Sequence, residues 1–177
     1  AAGVLKFLPA LCAFCAPTPI SYLRLKPHHW SASYANLGER NREASLRICP
    51  TITLGGKSPA KQYNLEFRPL DATASPHLSM AAVLIAGRLG IQQQLTLDSS
   101  SDDDPASMSE EQRQACNIVA LPNTLDDALA SLRDNPQLLE QLPPLMLDAY
   151  FALKAEELKS TEKLTPARLC DHYARLY

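Results

Sequence analysis

The stretch ANLGERNREASLRICP, residues 35–50, organises the rest of this 177-residue chain. Alternating apolar and polar side chains over residues 44–48 predict a β-strand, and residues 51–54 either extend this strand or begin another. The odd separation of Arg42 and Arg47 would put them on opposite faces of one strand, so we place Arg42 in the loop that enters it. We assign Arg40, the third arginine of the run, a structural role.

A second strand is predicted over residues 63–68, YNLEFR, after a turn with the sequence GGKSPAK. We expect it to pair in antiparallel fashion with the first strand. Glu66 and Arg68 are two residues apart and should project from the same face. A carboxylate and a guanidinium side by side suit a site for a metal, a phosphate or a carboxylate, because arginine binds oxyanions with a rigid fork. The simpler alternative is an ion pair between the two.

Apolar side chains recur at helical spacing through most of the remaining chain. The first helix is predicted over residues 3–15, with Pro9 causing a kink or a lost hydrogen bond. Another is predicted over residues 76–95, after the good N-cap residue Ser75 and with a proline at its first position. The nearly continuous apolar character of this second helix predicts that it is buried on most sides.

The C-terminal part of the chain predicts three further helices. One follows Thr124, with Asp127 as a candidate capping-box partner, one covers residues 144–159, and one begins at residues 165–166. Residues 98–112, DSSSDDDPASMSEEQ, predict an acidic loop that faces solvent. The predicted fold class is therefore α+β, a few-stranded antiparallel sheet with C-terminal helices.

Composition narrows the class of protein. Seventeen basic and nineteen acidic side chains give a net charge of −2, which provides no reason to expect a nucleic-acid partner. No apolar run reaches the roughly 18 residues needed to span a membrane. Five cysteines, with a lone CxxC at Cys12 and Cys15 that we interpret as core residues, favour a reduced, cytoplasmic setting. Because the chain lacks an initiator methionine and opens on an apolar helix, we expect it to be part of a longer protein.

Three segments carry a resemblance to a known family: SYLRLKPHHW (21–30), NREASLRI (41–48) and LEFRPLDATASPHLSMAAVLIAGRLGI (65–91). They resemble the closing half of the catalytic domain of glutamine synthetases. The resemblance runs in order along nearly the whole chain and implies that residues 1–177 are the C-terminal portion of such a domain. It implies an ATP-dependent ligase that phosphorylates the γ-carboxylate of glutamate and lets ammonia or an amine displace the phosphate. A ring-shaped homo-oligomer is implied as well.

The resemblance also implies roles for charged positions around the predicted strands. Arg24 and Arg68 would contact the carboxylate of substrate glutamate, and Glu66 would be a ligand of Mg²⁺ or Mn²⁺, which prefer oxygen ligands. From spacing alone, Arg24 could equally be a surface arginine lying along its aliphatic stem. One carboxylate does not make a metal site, so the remaining ligands would have to precede Ala1.

The implied phosphate-binding residues are Arg42, Arg47 and Lys61. Arg42 and Arg47 would bind the γ-phosphate of ATP and the transferring phosphoryl group, and Arg42 is the candidate catalytic residue. Phosphoryl transfer needs such positioned positive charge, because the protein contributes mostly electrostatics. Lys61 would lie near the nucleotide, although a lysine in a turn is usually only solvated.

Trp30 departs from the family pattern. It stands where glutamine synthetases carry a glutamate that helps to receive ammonium, and an indole cannot deprotonate an ammonium ion. It can pack on an alkyl amine, so Trp30 is the amine-site candidate and γ-glutamylation of a polyamine or alkyl amine is an alternative function. We expect the neighbouring His28 and His29 to be solvated.

A function of another class is a non-catalytic assembly module. The retention of five charged residues argues against it: Arg24, Arg42, Arg47, Glu66 and Arg68. If the longer protein is an enzyme, this chain alone should be inactive, since Glu66 is its one implied metal ligand. We also expect an exposed apolar surface around Val4, Leu5 and Leu8, where a missing part would pack.

Overall fold

The computed structural model describes residues 1–97 and 102–177. Part of the predicted acidic loop, residues 98–101, lies outside the described residues. In chain order the elements are α1 (Ala2–Cys15), α2 (Ser21–Arg24), β1 (Tyr34–Ala35), β2 (Leu37–Glu39), β3 (Leu46–Ile48), β4 (Leu65–Phe67), α3 (Pro76–Gln92), α4 (Glu110–Ala115), β5 (Val119–Ala120), α5 (Leu125–Arg133), α6 (Pro136–Leu139), α7 (Pro144–Thr161) and α8 (Pro166–Tyr173). The α+β class is confirmed.

Helix α1 is the centre of the hydrophobic core, and Pro9 is accommodated within it. It packs against α3 and α5. The crossing with α3 requires glycine, because a Cβ on Gly3 would lie 2.2 Å from the carbonyl oxygen of Ala86. Val4 and Leu8 are consequently buried, so the predicted exposed patch around the start of α1 is wrong: α3 and α5 already cover this helix.

Cys12 and Cys15 lie in the buried part of α1 as free thiols, as the sequence predicts for core residues. Burial raises the pKa of Cys12 to about 12 and raises that of Cys15 as well. Across residues 1–97 and 102–177, no three histidine, cysteine or acidic side chains come together as a metal site.

Strands β2, β3 and β4 form one small sheet in that order. The predicted antiparallel pairing of β3 and β4 is confirmed, but β2 adds to β3 in parallel and was not predicted. Residues 51–54 are not a strand. A 3₁₀ turn, Leu54–Gly56, follows instead, because Gly55 and Gly56 take left-handed φ values of 72° and 73°. A second sheet pairs β1 with β5.

Within residues 1–97 and 102–177, helix α3 buries one face, mainly against α1 and to a smaller extent against α6. Met80, Leu84 and Ile91 are 64%, 68% and 81% exposed, so the predicted burial on most sides is wrong for this chain. An apolar helix is buried on most sides only if elements pack against more than one of its faces. In the described chain, other elements pack against one face of α3.

The C-terminal helices α7 and α8 contain a group of interacting polar side chains, which we call the helix cluster: Lys154, Glu157 and Tyr173. Lys154 Nζ lies 2.7 Å from Glu157 Oε2, and the Tyr173 hydroxyl donates to the other oxygen, which joins α8 to α7. Thr124 caps α5 by accepting from the Asp127 amide, as predicted. Among the described helices, we find none with both the length and the apolar character needed to cross a bilayer.

Candidate active site

The pairing of β3 with β4 sets Arg47 directly opposite Glu66. Arg47 Nε lies 3.1 Å from Glu66 Oε2, and Arg68 Nη1 donates to Glu66 Oε1 at 3.0 Å. The predicted ion pair between Glu66 and Arg68 therefore exists, but Glu66 is shared with a second arginine across the ladder. We call Arg47, Glu66 and Arg68 the strand cluster.

Polar atoms of the strand cluster remain without hydrogen bonds. The contact of Arg47 Nε with Glu66 Oε2 has the distance of an ion pair, but its N–H is not aligned for a hydrogen bond. Among the described residues, Arg47 Nε, Glu66 Oε2 and Arg68 Nε are buried atoms with no hydrogen-bond partner. Buried polar groups are normally satisfied, and Tyr22 Oη, Ser33 Oγ and Asn36 Nδ2 are further exceptions outside the cluster. In the strand cluster the unsatisfied donors belong to arginines, which suit an oxyanion ligand.

Arg24 forms hydrogen bonds with residues adjacent to Trp30 and Arg68. Its Nη1 donates to Ser31 Oγ at 2.9 Å and its Nη2 to the carbonyl oxygen of Pro69 at 2.9 Å. Burial lowers the pKa of its guanidinium, with Asp71 opposing the shift and Arg68 adding to it. Arg24 thus clamps the main chain that follows β4, and its contact with a substrate carboxylate stays a prediction.

The KPHHW segment forms a loop beside the strand cluster, here called the Trp30 loop (residues 26–30). His28 and Trp30 adopt left-handed backbone angles, with φ of 62° and 54°. For non-glycine residues this conformation costs about 1–2 kcal/mol each. Arg68 Nη2 donates to the Trp30 carbonyl at 2.7 Å, which joins the loop to the strand cluster.

Arg42 lies in the loop before β3, as predicted, and stacks on the amine-site candidate. Its guanidinium carbon is 5.3 Å from the centre of the Trp30 ring. Glu43, the next residue, accepts from the main-chain amides of His28 and Trp30. Direct contacts therefore link five of the predicted site residues, Trp30, Arg42, Arg47, Glu66 and Arg68, and the sixth, Arg24, reaches the main-chain carbonyl of Arg68 at 3.5 Å.

Lys61 is the one predicted site residue that the described contacts do not bring to this group. It ends an exposed 3₁₀ turn, Pro59–Lys61, and its role at a nucleotide stays a prediction. One cleft of the described chain, of about 360 Å³, is lined by α1, β1, β5 and residues 95–97, and another, of about 690 Å³, borders the Trp30 loop at Lys26. Neither of these two clefts is lined by the six side chains named above. Arginines outnumber carboxylates among those six, so the site carries surplus positive charge.

A divalent cation fits this surface only in part. Glu66 Oε2 is an acceptor oxygen without a hydrogen bond, which suits a ligand of Mg²⁺ or Mn²⁺. Yet it lies between two guanidinium groups, and no cluster of three metal-binding side chains surrounds it in residues 1–97 and 102–177. Further carboxylates or phosphate oxygens would have to complete the coordination.

Sequence reasoning missed Glu43 and Ser31 because both act through main-chain or buried contacts. The sequence does not distinguish Glu43 from the other polar residues of NREASLR. It also does not show that the Glu43 carboxylate contacts residues 28–30. The available signal was the adjacency of Glu43 to Arg42 in a loop already expected to carry function.

The fold and this surface define a class: an α+β domain with an arginine-rich strand pair suited to phosphate and carboxylate oxygens. The family model described as glutamine synthetase, catalytic domain, matches residues 1–171, so the chain belongs to the glutamine synthetase family. The predicted resemblance is thereby confirmed.

Several known proteins resemble the chain. It is 39% identical over 163 residues to the gamma-glutamylpolyamine synthetase GlnA3 of Streptomyces coelicolor, covering 92% of this chain and 34% of that protein. It is 38% identical to the glutamine synthetase of Sulfolobus acidocaldarius, covering 89% of this chain and 33% of that one. A crystal structure described as a novel glutamine synthase homolog superposes with a TM-score of 0.84 at 57% identity, covering 99% of this chain and 37% of the other. The chain thus spans about a third of the length of these relatives.

Proposed function

We propose that this chain is the C-terminal portion of the catalytic domain of an ATP-dependent glutamate–amine ligase. The observation that supports this proposal is the strand cluster, where two guanidinium groups flank one carboxylate and Arg68 Nε has no hydrogen bond. Membership of the glutamine synthetase family supports the reaction class. The remaining two thirds of the protein would supply the other half of the site, in a cytoplasmic homo-oligomer.

The proposed reaction has two steps. The γ-carboxylate of glutamate attacks the γ-phosphorus of ATP, which breaks the bond to ADP and forms γ-glutamyl phosphate. The nitrogen of ammonia or an amine then attacks the carbonyl carbon, phosphate leaves, and the nitrogen loses a proton. Arg42 and Arg47 would neutralise the charge on the transferring phosphoryl group, with Arg42 released from the Trp30 ring to reach it. Mg²⁺ or Mn²⁺, held partly by Glu66, would supply further positive charge at the phosphates.

The remaining contacts place the substrate. Arg68 would bind the glutamate carboxylate by exchanging partners, since its Nε is buried without a hydrogen bond and its Nη1 and Nη2 donate to Glu66 and to the Trp30 carbonyl. Arg24 supports this arrangement by clamping the main chain after β4, and a direct contact with the carboxylate would need its donors to exchange partners. Lys61 is proposed at the nucleotide.

The test uses the full-length protein with ATP, Mg²⁺, glutamate and either ammonia or an amine. We expect glutamate- and amine-dependent release of inorganic phosphate, and a roughly hundredfold or greater loss in the Arg47→Gln variant. Absence of phosphate release with every amine tried would refute the ligase and favour the assembly module. The 177-residue chain alone should release none, because most metal ligands are absent from it.

A second candidate is γ-glutamylation of a polyamine or alkyl amine. It is favoured by Trp30, whose side chain is 67% exposed at the site, and by the similarity to a gamma-glutamylpolyamine synthetase. Burying one methylene contributes about 0.8 kcal/mol, so the four of putrescine could favour it over ammonia by up to about 3 kcal/mol, on the order of a hundredfold. Comparison of kcat/KM for ammonia and putrescine decides this, and Trp30→Glu should narrow the gap. Better use of ammonia by the wild type would leave Trp30 as a packing residue.

A further inference from the structure

The backbone of the Trp30 loop is held in an unfavourable conformation. His28 and Trp30 are both left-handed, although neither is glycine, and the loop contributes little to the core because its only large apolar side chain is 67% exposed. Strained residues persist where surrounding contacts over-determine them, and they concentrate at functional sites. The contact that imposes the strain therefore identifies a residue with a role in the site.

That contact comes from Glu43. Its Oε2 accepts from the His28 amide at 3.1 Å and its Oε1 from the Trp30 amide at 3.0 Å, so both carboxylate oxygens are used by the two strained residues. Glu43 is itself fixed, because its own amide donates to Asn41 Oδ1 at 2.8 Å. In their left-handed conformation, both residues direct their N–H groups at this one carboxylate.

Three contacts then determine where the indole lies. Glu43 holds the Trp30 amide, Arg68 holds its carbonyl, and Arg42 stacks on the ring. The last two contacts belong to residues that the ligand itself would engage. Glu43 contacts the amides of the loop and has no proposed contact with a substrate. It can therefore hold the loop while Arg42 and Arg68 exchange partners.

We propose that Glu43 is a positioning residue that holds Trp30 at the amine subsite and thereby sets the affinity for an alkyl amine. The inference rests on the ligase proposed above and names the residue that maintains its amine specificity. Without Glu43 the two strained residues relax, the indole leaves its position, and the amine loses the apolar surface against which its methylenes pack. Binding of glutamate and ATP, which depends on the arginines, should change little.

The test compares full-length wild type with Glu43→Ala, Glu43→Gln and the control Glu39→Gln, which removes a nearby exposed carboxylate at the end of β2. We expect the KM for putrescine to rise about tenfold in Glu43→Ala and about threefold in Glu43→Gln, which keeps one acceptor oxygen. The KM for glutamate and for ATP should stay within twofold, and Glu39→Gln should match the wild type. An unchanged amine KM in Glu43→Ala, or an equal rise for all three substrates, overturns the inference.

A binding measurement separates this inference from the ligase itself. The chain has one tryptophan, so the emission of each protein minus that of its Trp30→Phe counterpart reports on Trp30 in the full-length protein. We expect putrescine to change this emission saturably, with a Kd about tenfold weaker in Glu43→Ala. If no phosphate is released but the tenfold difference in putrescine Kd is observed, the proposed ligase activity is refuted and the role of Glu43 is not. Phosphate release with no putrescine effect on Trp30 emission refutes the role of Glu43.

Discussion

The strand cluster and the helix cluster each contain one partly buried carboxylate, and they differ in how its charge is balanced. Glu157 meets one lysine and one hydroxyl, so the helix cluster is neutral. Glu66 meets two arginines, with Arg24 and Arg42 nearby, and three buried polar atoms of that cluster have no hydrogen bond in the described residues. A neutral, satisfied group stabilises a fold, whereas surplus positive charge with unmet hydrogen bonds is an arrangement that a ligand completes.

The largest expected effect concerns the strand cluster. In the full-length protein, Glu66→Gln should lower kcat by at least about a hundredfold, because a neutral amide neither orients two arginines nor binds a metal. The free energy of unfolding should also fall, by about 1–2 kcal/mol, because the Arg47 and Arg68 side chains, 15% and 13% exposed, lose their anionic partner. Phosphate release and urea unfolding measure the two quantities. Activity within threefold of wild type would remove Glu66 from the site.

The corresponding substitution in the helix cluster, Glu157→Gln, should lower the free energy of unfolding and leave activity unchanged. Glu157→Gln leaves the Lys154 ammonium, 9% exposed, without an anionic partner and should cost about 2 kcal/mol of unfolding free energy. Activity per folded molecule in the full-length protein should be unchanged. Urea unfolding checks the first expectation, with Glu156→Gln as a control because the Glu156 side chain is 76% exposed. Equal costs for the two substitutions would show that the helix cluster stabilises nothing.

Tyr173 makes the contribution of the helix cluster to the unfolding free energy depend on pH. Burial first, and then the hydrogen bond to Glu157, raise the pKa of its hydroxyl above the ordinary value of 10.0. The folded chain keeps a proton that the unfolded chain releases, so the contribution is complete below pH 10 and is lost as pH rises above it. Tyr173→Phe should cost about 1 kcal/mol at pH 8. Urea unfolding between pH 8 and 11 should show a shallower alkaline loss in the variant, and parallel curves would contradict this.

The smallest expected effect is stabilisation by an oxyanion. If the strand cluster binds inorganic phosphate with a Kd of about 10 mM, then 30 mM phosphate should raise the unfolding free energy by about 0.8 kcal/mol. Arg47→Gln should lose this increment, whereas Glu157→Gln should keep it although it is less stable. The second variant controls for the general stabilising action of phosphate. An equal increment in all three proteins would mean that the cluster has no specific affinity for the anion.

Much of the fold could be predicted because its signals are local. Helical periodicity placed α1 and α7, Thr124 marked the start of α5, and the alternation in residues 44–48 and 63–68 predicted the two paired strands. Glu66 and Arg68 were expected on one face because a strand has a period of two, and their ion pair follows from that. The resemblance in three separated motifs was specific enough to predict the family that residues 1–171 match.

Other features depend on distant contacts, which no local pattern contains. Strand β2 adds in parallel to β3, the described residues cover α3 on one face, and the start of α1 is buried by helices that come much later in the chain. The amino-acid sequence by itself determined which residues bear charge and which elements carry them. Only the tertiary structure decided that Arg47 faces Glu66 and that Glu43 folds back onto the Trp30 loop, because strand register and loop closure are set by packing between residues far apart in the chain.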